Sequence, residues 1–517
     1  MSKQTFIQGT LILIMAGFVT RFLGFINRII VARIMGAEGV GLYVMAVPTM
    51  LLVITLTQFG LPVAISKLVD EAEAMGDRKK VKSILVVSLS ITAALSVIFT
   101  TAIIVFAPMI AKTLLTDSRT YYPLIAIAPI VPIVALSSVL RGYFQGKQNM
   151  RPTAYSQMLE QIVRISFVAL FTTMFLPYGV EYAAAGAMIS VVIGELASLI
   201  YMLFLFKINK QIKMRKNFFR YLYQGKETTK ELLAIALPTT GSRLIGSVSY
   251  FFEPIVVSQS LALAGVATVV ATSQYGKLAG FVIPLITLPT FITYSLSVSL
   301  VPAISEARAM KKYDVIHYRL NQALRLAFIS GGISAVILYI FAVPIMDLMY
   351  HAPEAAVFVK VIAPFSIFLY FQGPLQAALQ ALDMAKAAMM NSFYGALVKM
   401  AAIFLLASRP ELGIMGAALA IVIGFVLVTL LHFASIAKTI SFTLDVKQSA
   451  KTTLAIIITA IISFFIAEQF TVFEHLFFST SMAIFLTLII YCLFLIAFRI
   501  VQKDELKRLP VIGKLFA

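Results

Sequence analysis

Any chemistry in this chain rests on charges that sit where charge is costly. Arg21, Arg28, Arg164, Arg243 and Lys399 each fall inside a long apolar run, as do Glu160, Glu195 and Glu253. An ionised side chain at mid-bilayer costs at least ~2.5–3.5 kcal/mol on insertion scales, so such residues face a cavity or a partner. Arg21 lies about fifteen residues into the first run, or ~22 Å at 1.5 Å per residue. Arg28 follows at i+7, on the same helical face, and can also be read as snorkelling to the outer surface. Thr239, Arg243, Ser247 and Tyr250 form one polar stripe that ends near Glu253. Ser156, Glu160 and Arg164 recur at i, i+4 and i+8, so Glu160 and Arg164 can neutralise each other along their own helix. Ser392, Gly395 and Lys399 share a face. Glu195 is either the counter-ion of one of these bases or a protonatable site. Five bases against three acids leave a surplus of +2. Guanidinium forks match phosphate geometry, so the chemistry on offer is anion binding in a buried cavity.

Catalysis finds little support. The four histidines, His317, His351, His432 and His475, have no ligand spacing, and there is no HExxH, Walker loop or GxSxG. Cys492 is the single cysteine, so no internal disulfide forms. The carboxylates are scattered, which argues against a membrane-embedded transferase or polymerase.

The elements that must position these charges are membrane helices. The chain has 517 residues, 60% hydrophobic and only 13% charged, with a mean hydropathy of +0.95. Soluble domains carry about 25% charge. Runs of about 20 apolar residues span a ~30 Å hydrocarbon core as helices and do not match the ten-residue alternation of barrel strands. Fourteen spans are expected, at about 6–32, 42–66, 83–108, 121–144, 155–176, 183–206, 231–257, 276–301, 322–346, 356–381, 388–408, 414–436, 451–469 and 479–500. Pro48, Pro62, Pro129, Pro132, Pro284, Pro289 and Pro364 fall within them and predict kinks. The first run contains Arg21 and lacks a small-residue cleavage site, so it reads as a retained helix. With the N-terminus in the cytoplasm, inner segments hold 31 Lys and Arg and outer segments 5. That bias places both termini inside and accounts for the net charge of +19 without nucleic acid. The basic stretch Lys207 to Lys230 reads as a cytoplasmic linker, solvated or lying on anionic headgroups.

The chain repeats. Thr20-Arg21-Phe22-Leu23-Gly24 is matched by Ser242-Arg243-Leu244-Ile245-Gly246, Ala64-Ile65-Ser66 by Ala303-Ile304-Ser305, and Ala128-Pro129 by Ala363-Pro364. Arg164 is matched by Lys399, and Gly186 with Gly194 by Gly416 with Gly424. The offsets run 222, 239, 235, 235 and 230, in order, on corresponding spans. The expected architecture is an all-α polytopic membrane protein of two pseudo-symmetric six-helix bundles, 1–206 and 231–437. The linker 207–230 joins them, and 438–517 adds two further helices and a tail. Six helices per half give a parallel repeat, which in transporters places the substrate between halves that rock for alternating access.

The early stretch Thr20 to Phe25 and Val31-Ala32-Arg33-Ile34-Met35-Gly36-Ala37 resembles the MOP exporter superfamily, and the chain is similar to its polysaccharide-export branch, beside MurJ-type lipid II flippases. Arg141 to Met150 and Leu237 to Arg243 resemble a sporulation member of endospore-forming bacilli, over essentially the whole chain. The resemblance implies a V-shaped, MATE-like fold and a flippase for undecaprenyl-pyrophosphate-linked peptidoglycan precursor in spore-cortex synthesis. It implies a mother-cell-derived membrane around the forespore. It implies no cofactor beyond a coupling ion or the membrane potential, membrane lipids as further partners, and no named protein partner. Arg21 then matches a diphosphate-binding arginine, and Arg243 takes the seventh-helix part. The second first-helix arginine of that family is replaced by Asn27, and second-helix bases by Leu52 and Val53. A multidrug extruder of the same superfamily would need an acidic cavity. A non-transporting scaffold of a sporulation complex would not need buried arginines.

Overall fold

Long uniformly apolar runs leave the backbone one way to satisfy its polar groups in lipid, which is the helix. The computed structural model describes residues 6–208, 218–470 and 475–501. Residues 209–217 of the basic linker and the expected cytoplasmic termini lie outside the described residues. Helix contacts divide the chain into two units.

The first unit holds residues 1–280 and 407–414. Its helices are α1 (Phe6–Gln58), α2 (Leu61–Ala74), α3 (Arg78–Met109), α4 (Tyr121–Ile127), α5 (Ile130–Gly146), α6 (Arg151–Phe175), α7 (Val180–Ile208), α8 (Phe218–Tyr223), α9 (Lys226–Leu263) and α10 (Thr268–Tyr275). The break expected between the first two spans falls at Gly36, inside α1, where two helices meet at a φ of 65° and ψ of −171°, a region open essentially to glycine. The second expected span breaks again at Phe59–Gly60. Gly60 is left-handed (φ 62°), and a Cβ there would lie 2.6 Å from the Ala236 carbonyl of α9. Asp77 caps α3 by accepting from the amides of Lys79 (3.0 Å) and Lys80 (2.9 Å). The buried core of this unit includes Leu61, Ile65, Ile84, Leu85, Tyr143 and Met202 from α2, α3, α5 and α7.

The second unit holds residues 281–406 and 415–517. Its helices are α11 (Ile283–Thr287), α12 (Thr290–Ala309), α13 (Tyr313–Ile340), α14 (Ala342–Tyr350), α15 (Ala356–Ile362), α16 (Ser366–Ala381), α17 (Ala385–Ala407), α18 (Ile414–Ile440), α19 (Val446–Phe470) and α20 (Leu476–Ala497). The eighth span, expected over 276–301 with kinks at Pro284 and Pro289, begins earlier, at Thr268, is interrupted at Leu288–Pro289 and ends at Ala309. Pro62, Pro129 and Pro364 likewise stand at helix breaks or first turns, where a missing N–H costs little. α19 and α20 pack on α13 through Ala455, Tyr491, Leu495, Ile329 and Ile333, and the Tyr491 hydroxyl donates to the Ile329 carbonyl (3.0 Å).

Twelve helical stretches among the described residues are long and apolar enough to cross a membrane. Met15–Ala74, at 60 residues, covers two expected spans, and α9 with its polar stripe is not among the twelve. The protein is an all-helical, multi-pass membrane protein.

Candidate substrate site and family

Arg21 and Arg28 project from α1 and Arg243 from α9, and all three side chains are exposed. α9 lies along α1. Thr55 and Ser247 share a hydroxyl hydrogen bond of 2.8 Å, and Thr239 and Thr240 sit against Gly60. The charges of Arg28 and Glu253 both act on the Tyr250 hydroxyl, so these three residues form one neighbourhood between α1 and α9. Asn27 is buried beside Arg28, and its Oδ1 has no hydrogen-bond partner among the described residues. This neighbourhood offers a guanidinium, a phenol and an amide, groups that suit an anion, and Arg21 and Arg243 are exposed on the same two helices.

The remaining mid-span charges behave differently. Arg141 Nη2 donates to Glu195 Oε1 (2.7 Å) and approaches Ser198 Oγ (3.4 Å), while Arg164 pairs with Glu160 one turn away. The Glu160 and Glu195 carboxyls also lie close enough to act on each other. The result is a closed network of two bases and two acids across α5, α6 and α7. Its carboxylate side chains are only 12% (Glu160) and 6% (Glu195) exposed. Arg141 falls near the end of the expected span 121–144 and lies inside α5, and Glu195, a carboxylate with no base within a turn of it on its own helix, is the signal that could have found the pair.

Lys399 stands on α17, in the second unit. The repeat predicts its partner surface. A Cβ on Gly424 would meet the Lys399 side chain at 3.3 Å, as one on Gly194 would meet Arg164 Cβ at 3.2 Å. One turn before the base the halves differ, with Glu160 in the first and the buried Gly395 in the second.

A cluster that the sequence did not signal lies at the opposite end of the first unit from its basic loops. Arg119 clamps Asp117 in a fork (Nε–Oδ1 3.0 Å, Nη2–Oδ2 2.8 Å) and also binds Glu38 of α1. Thr272 of α10 donates to Asp117 Oδ2 at 2.7 Å. Gln259 Nε2 of α9 donates to the carbonyls of Thr113 (2.6 Å) and Leu114 (3.1 Å). Burial alone would raise the Asp117 carboxyl, but hydrogen bonds from Arg119 and Thr272 hold it below the usual range. Gly41 lets α1 approach so closely that a Cβ would strike the Thr272 carbonyl. Among the described residues, no three His, Cys, Asp or Glu side chains are grouped to hold a metal ion.

Comparison with known proteins agrees with this architecture. Residues 6–267 match the family described as Polysaccharide biosynthesis protein, and residues 254–405 match MatE. Stage V sporulation protein B of Bacillus subtilis (strain 168) is 60% identical over 521 aligned positions, covering 100% of this chain and 99% of that one. A structure of the lipid II flippase MurJ in an inward closed conformation superposes with a TM-score of 0.72 at 16% identity, covering 94% of this chain and 98% of that one. An inward-facing multidrug resistance MATE transporter of the MOP superfamily superposes with a TM-score of 0.68 at 16% identity, covering 82% and 94%. The exposed arginines of α1 and α9 are thus carried on the MATE- and MurJ-type transporter fold, and the chain belongs to the polysaccharide biosynthesis protein family.

Proposed function

We propose that this protein moves a polyprenyl-diphosphate-linked glycan across the membrane by alternating access, with lipid II of the peptidoglycan pathway as cargo and spore-cortex synthesis as its use. The observation that carries the reading is the distribution of charge. Glu160 and Glu195 are engaged by Arg164 and Arg141 in a closed network, whereas Arg21, Arg28 and Arg243 are exposed on α1 and α9. A diphosphate has the charge and the oxygen geometry that several guanidiniums recognise. On this reading Arg21, Arg28 and Arg243 hold the diphosphate, with Asn27, Tyr250 and Glu253 orienting them. Arg164 and Lys399 are the corresponding bases of two six-helix halves, 1–206 and 231–437, that rock about the cargo. The membrane potential or a coupling ion drives the cycle. The protein works in the cell membrane with both termini cytoplasmic, in the membrane around the forespore. The relatives named above, a sporulation protein and a lipid II flippase, support this cargo.

The test is lipid II translocation in proteoliposomes containing only this protein. Each charge-assisted hydrogen bond to the diphosphate is worth ~1.5–3 kcal/mol, so Arg21→Ala and Arg243→Ala should each slow transport roughly ten- to hundredfold. Both side chains are exposed, so both variants should remain folded. Wild-type rates in both would remove the arginines from the site. No translocation by folded wild type under an imposed potential would remove lipid II as the cargo.

A further inference from the structure

The first unit holds a cavity lined by none of the residues assigned above to the diphosphate. It encloses about 470 Å³ between α3, α5 and α7, in the size range of small-ligand pockets. Its walls are apolar throughout, with Leu85 and Leu89 of α3, Leu140 of α5, Phe206 of α7, and Phe218 and Phe219 of α8. Leu85 and Leu89 lie seven and eleven residues into α3, about 10–16 Å from its start. That is acyl-chain depth in the leaflet next to the basic loops.

The helix roofing the cavity is docked. Lys82, although on α3 and buried, places Nζ 4.8 Å above the Tyr221 ring of α8. Ser83 and Thr228 share a hydroxyl hydrogen bond of 3.0 Å just after it. Lys80 pairs with Glu231 at 2.6 Å. Phe219 and Tyr223 of α8 remain 81% and 95% exposed, as aromatic residues are at a membrane interface. Residues 77–82, 207–208 and 218–231, which adjoin the lining residues along the chain, carry eight basic and three acidic side chains.

We infer that this cavity takes an acyl chain of an anionic phospholipid from the adjoining leaflet, while the basic collar holds its phosphate. The apolar interior excludes a headgroup, and the charge above it selects anionic lipid over zwitterionic. The bound lipid fills the space beneath α8 and fastens the linker to the first unit.

The chain contains no tryptophan, so Phe218→Trp supplies a single fluorescent reporter at the cavity. The full-length variant is placed in nanodiscs with phosphatidylglycerol or phosphatidylcholine brominated on the acyl chain. Phosphatidylglycerol should quench at roughly fivefold lower mole fraction. Lys207→Gln with Arg220→Gln should erase that preference without abolishing quenching. Native mass spectrometry of the unaltered chain in mixed lipid gives an independent reading and should retain phosphatidylglycerol over phosphatidylcholine. Equal quenching by both lipids, or no retained phosphatidylglycerol, would overturn the inference. Displacement of the quencher by an unbrominated polyprenyl diphosphate would overturn it too, by assigning the cavity to the cargo.

Discussion

Glu195 sits in an apolar helix and is almost fully buried, and Arg141 reaches it from α5. Removing one member of such a pair strands the other in a medium that cannot solvate it. Arg141→Gln should therefore cost roughly 3–5 kcal/mol of stability. The double variant Arg141→Met with Glu195→Leu should recover most of it. Thermal unfolding of the purified protein in detergent checks both. If the double variant melts no higher than the single one, the pair is not the source of the loss. At this scale the sequence was partly legible. The i+4 spacing of Glu160 and Arg164 anticipated their ion pair, which the structure contains. The link from Arg141 to Glu195 joins residues 54 apart on different helices, and no local spacing encodes it.

Helices meet at positions where a side chain would not fit. Gly60 combines a left-handed backbone with contact against the Ala236 carbonyl, so Gly60→Ala meets both strain and a clash. It should destabilise by more than ~1 kcal/mol, seen as a lower melting temperature. Asp117 fastens the loop after α3 to α10. Its carboxyl is held low, so its stabilisation is complete above the ordinary carboxylate range, near pH ~4. It is lost only as pH falls through the lower native value. Hydrogen exchange over residues 113–120, corrected for intrinsic rates, should therefore be unchanged from about pH 8 to about pH 5. Asp117→Asn should raise exchange across that whole window, and a wild-type loop that loosens at pH ~5 would contradict the assignment. Spans were legible from hydropathy because burial in lipid demands apolar length. Their breaks were legible in part. Gly36 falls in the gap expected between the first two spans and Pro289 at an expected kink. Gly60, however, acts through its backbone angles inside an expected span, and α9 dilutes its apolar run with Thr239, Arg243 and Ser247.

The two appended helices are part of the second unit's core. α13 turns Ile329, Ile333 and the carbonyl of Ile329 toward α19 and α20, and a Cβ on Gly332 would strike Ile456. Deleting everything after residue 445 should expose that face and replace the monodisperse size-exclusion peak with aggregate. A monodisperse truncated protein would show the appendage to be dispensable for folding. The repeat was legible because paired glycines and bases keep their order. It did not reveal that α9 and α10, which follow the linker, pack with the helices that precede it. That arrangement sets a schedule for synthesis. Asp117 leaves the ribosome 155 residues before Thr272, the hydroxyl that completes its cap. At ~5–20 residues per second, α1 and the loop after α3 wait about 8–30 s in the membrane for the segment that closes them. Throughout that interval the α1 flank around Gly41, the future seat of α10, is open to lipid or to an insertion chaperone.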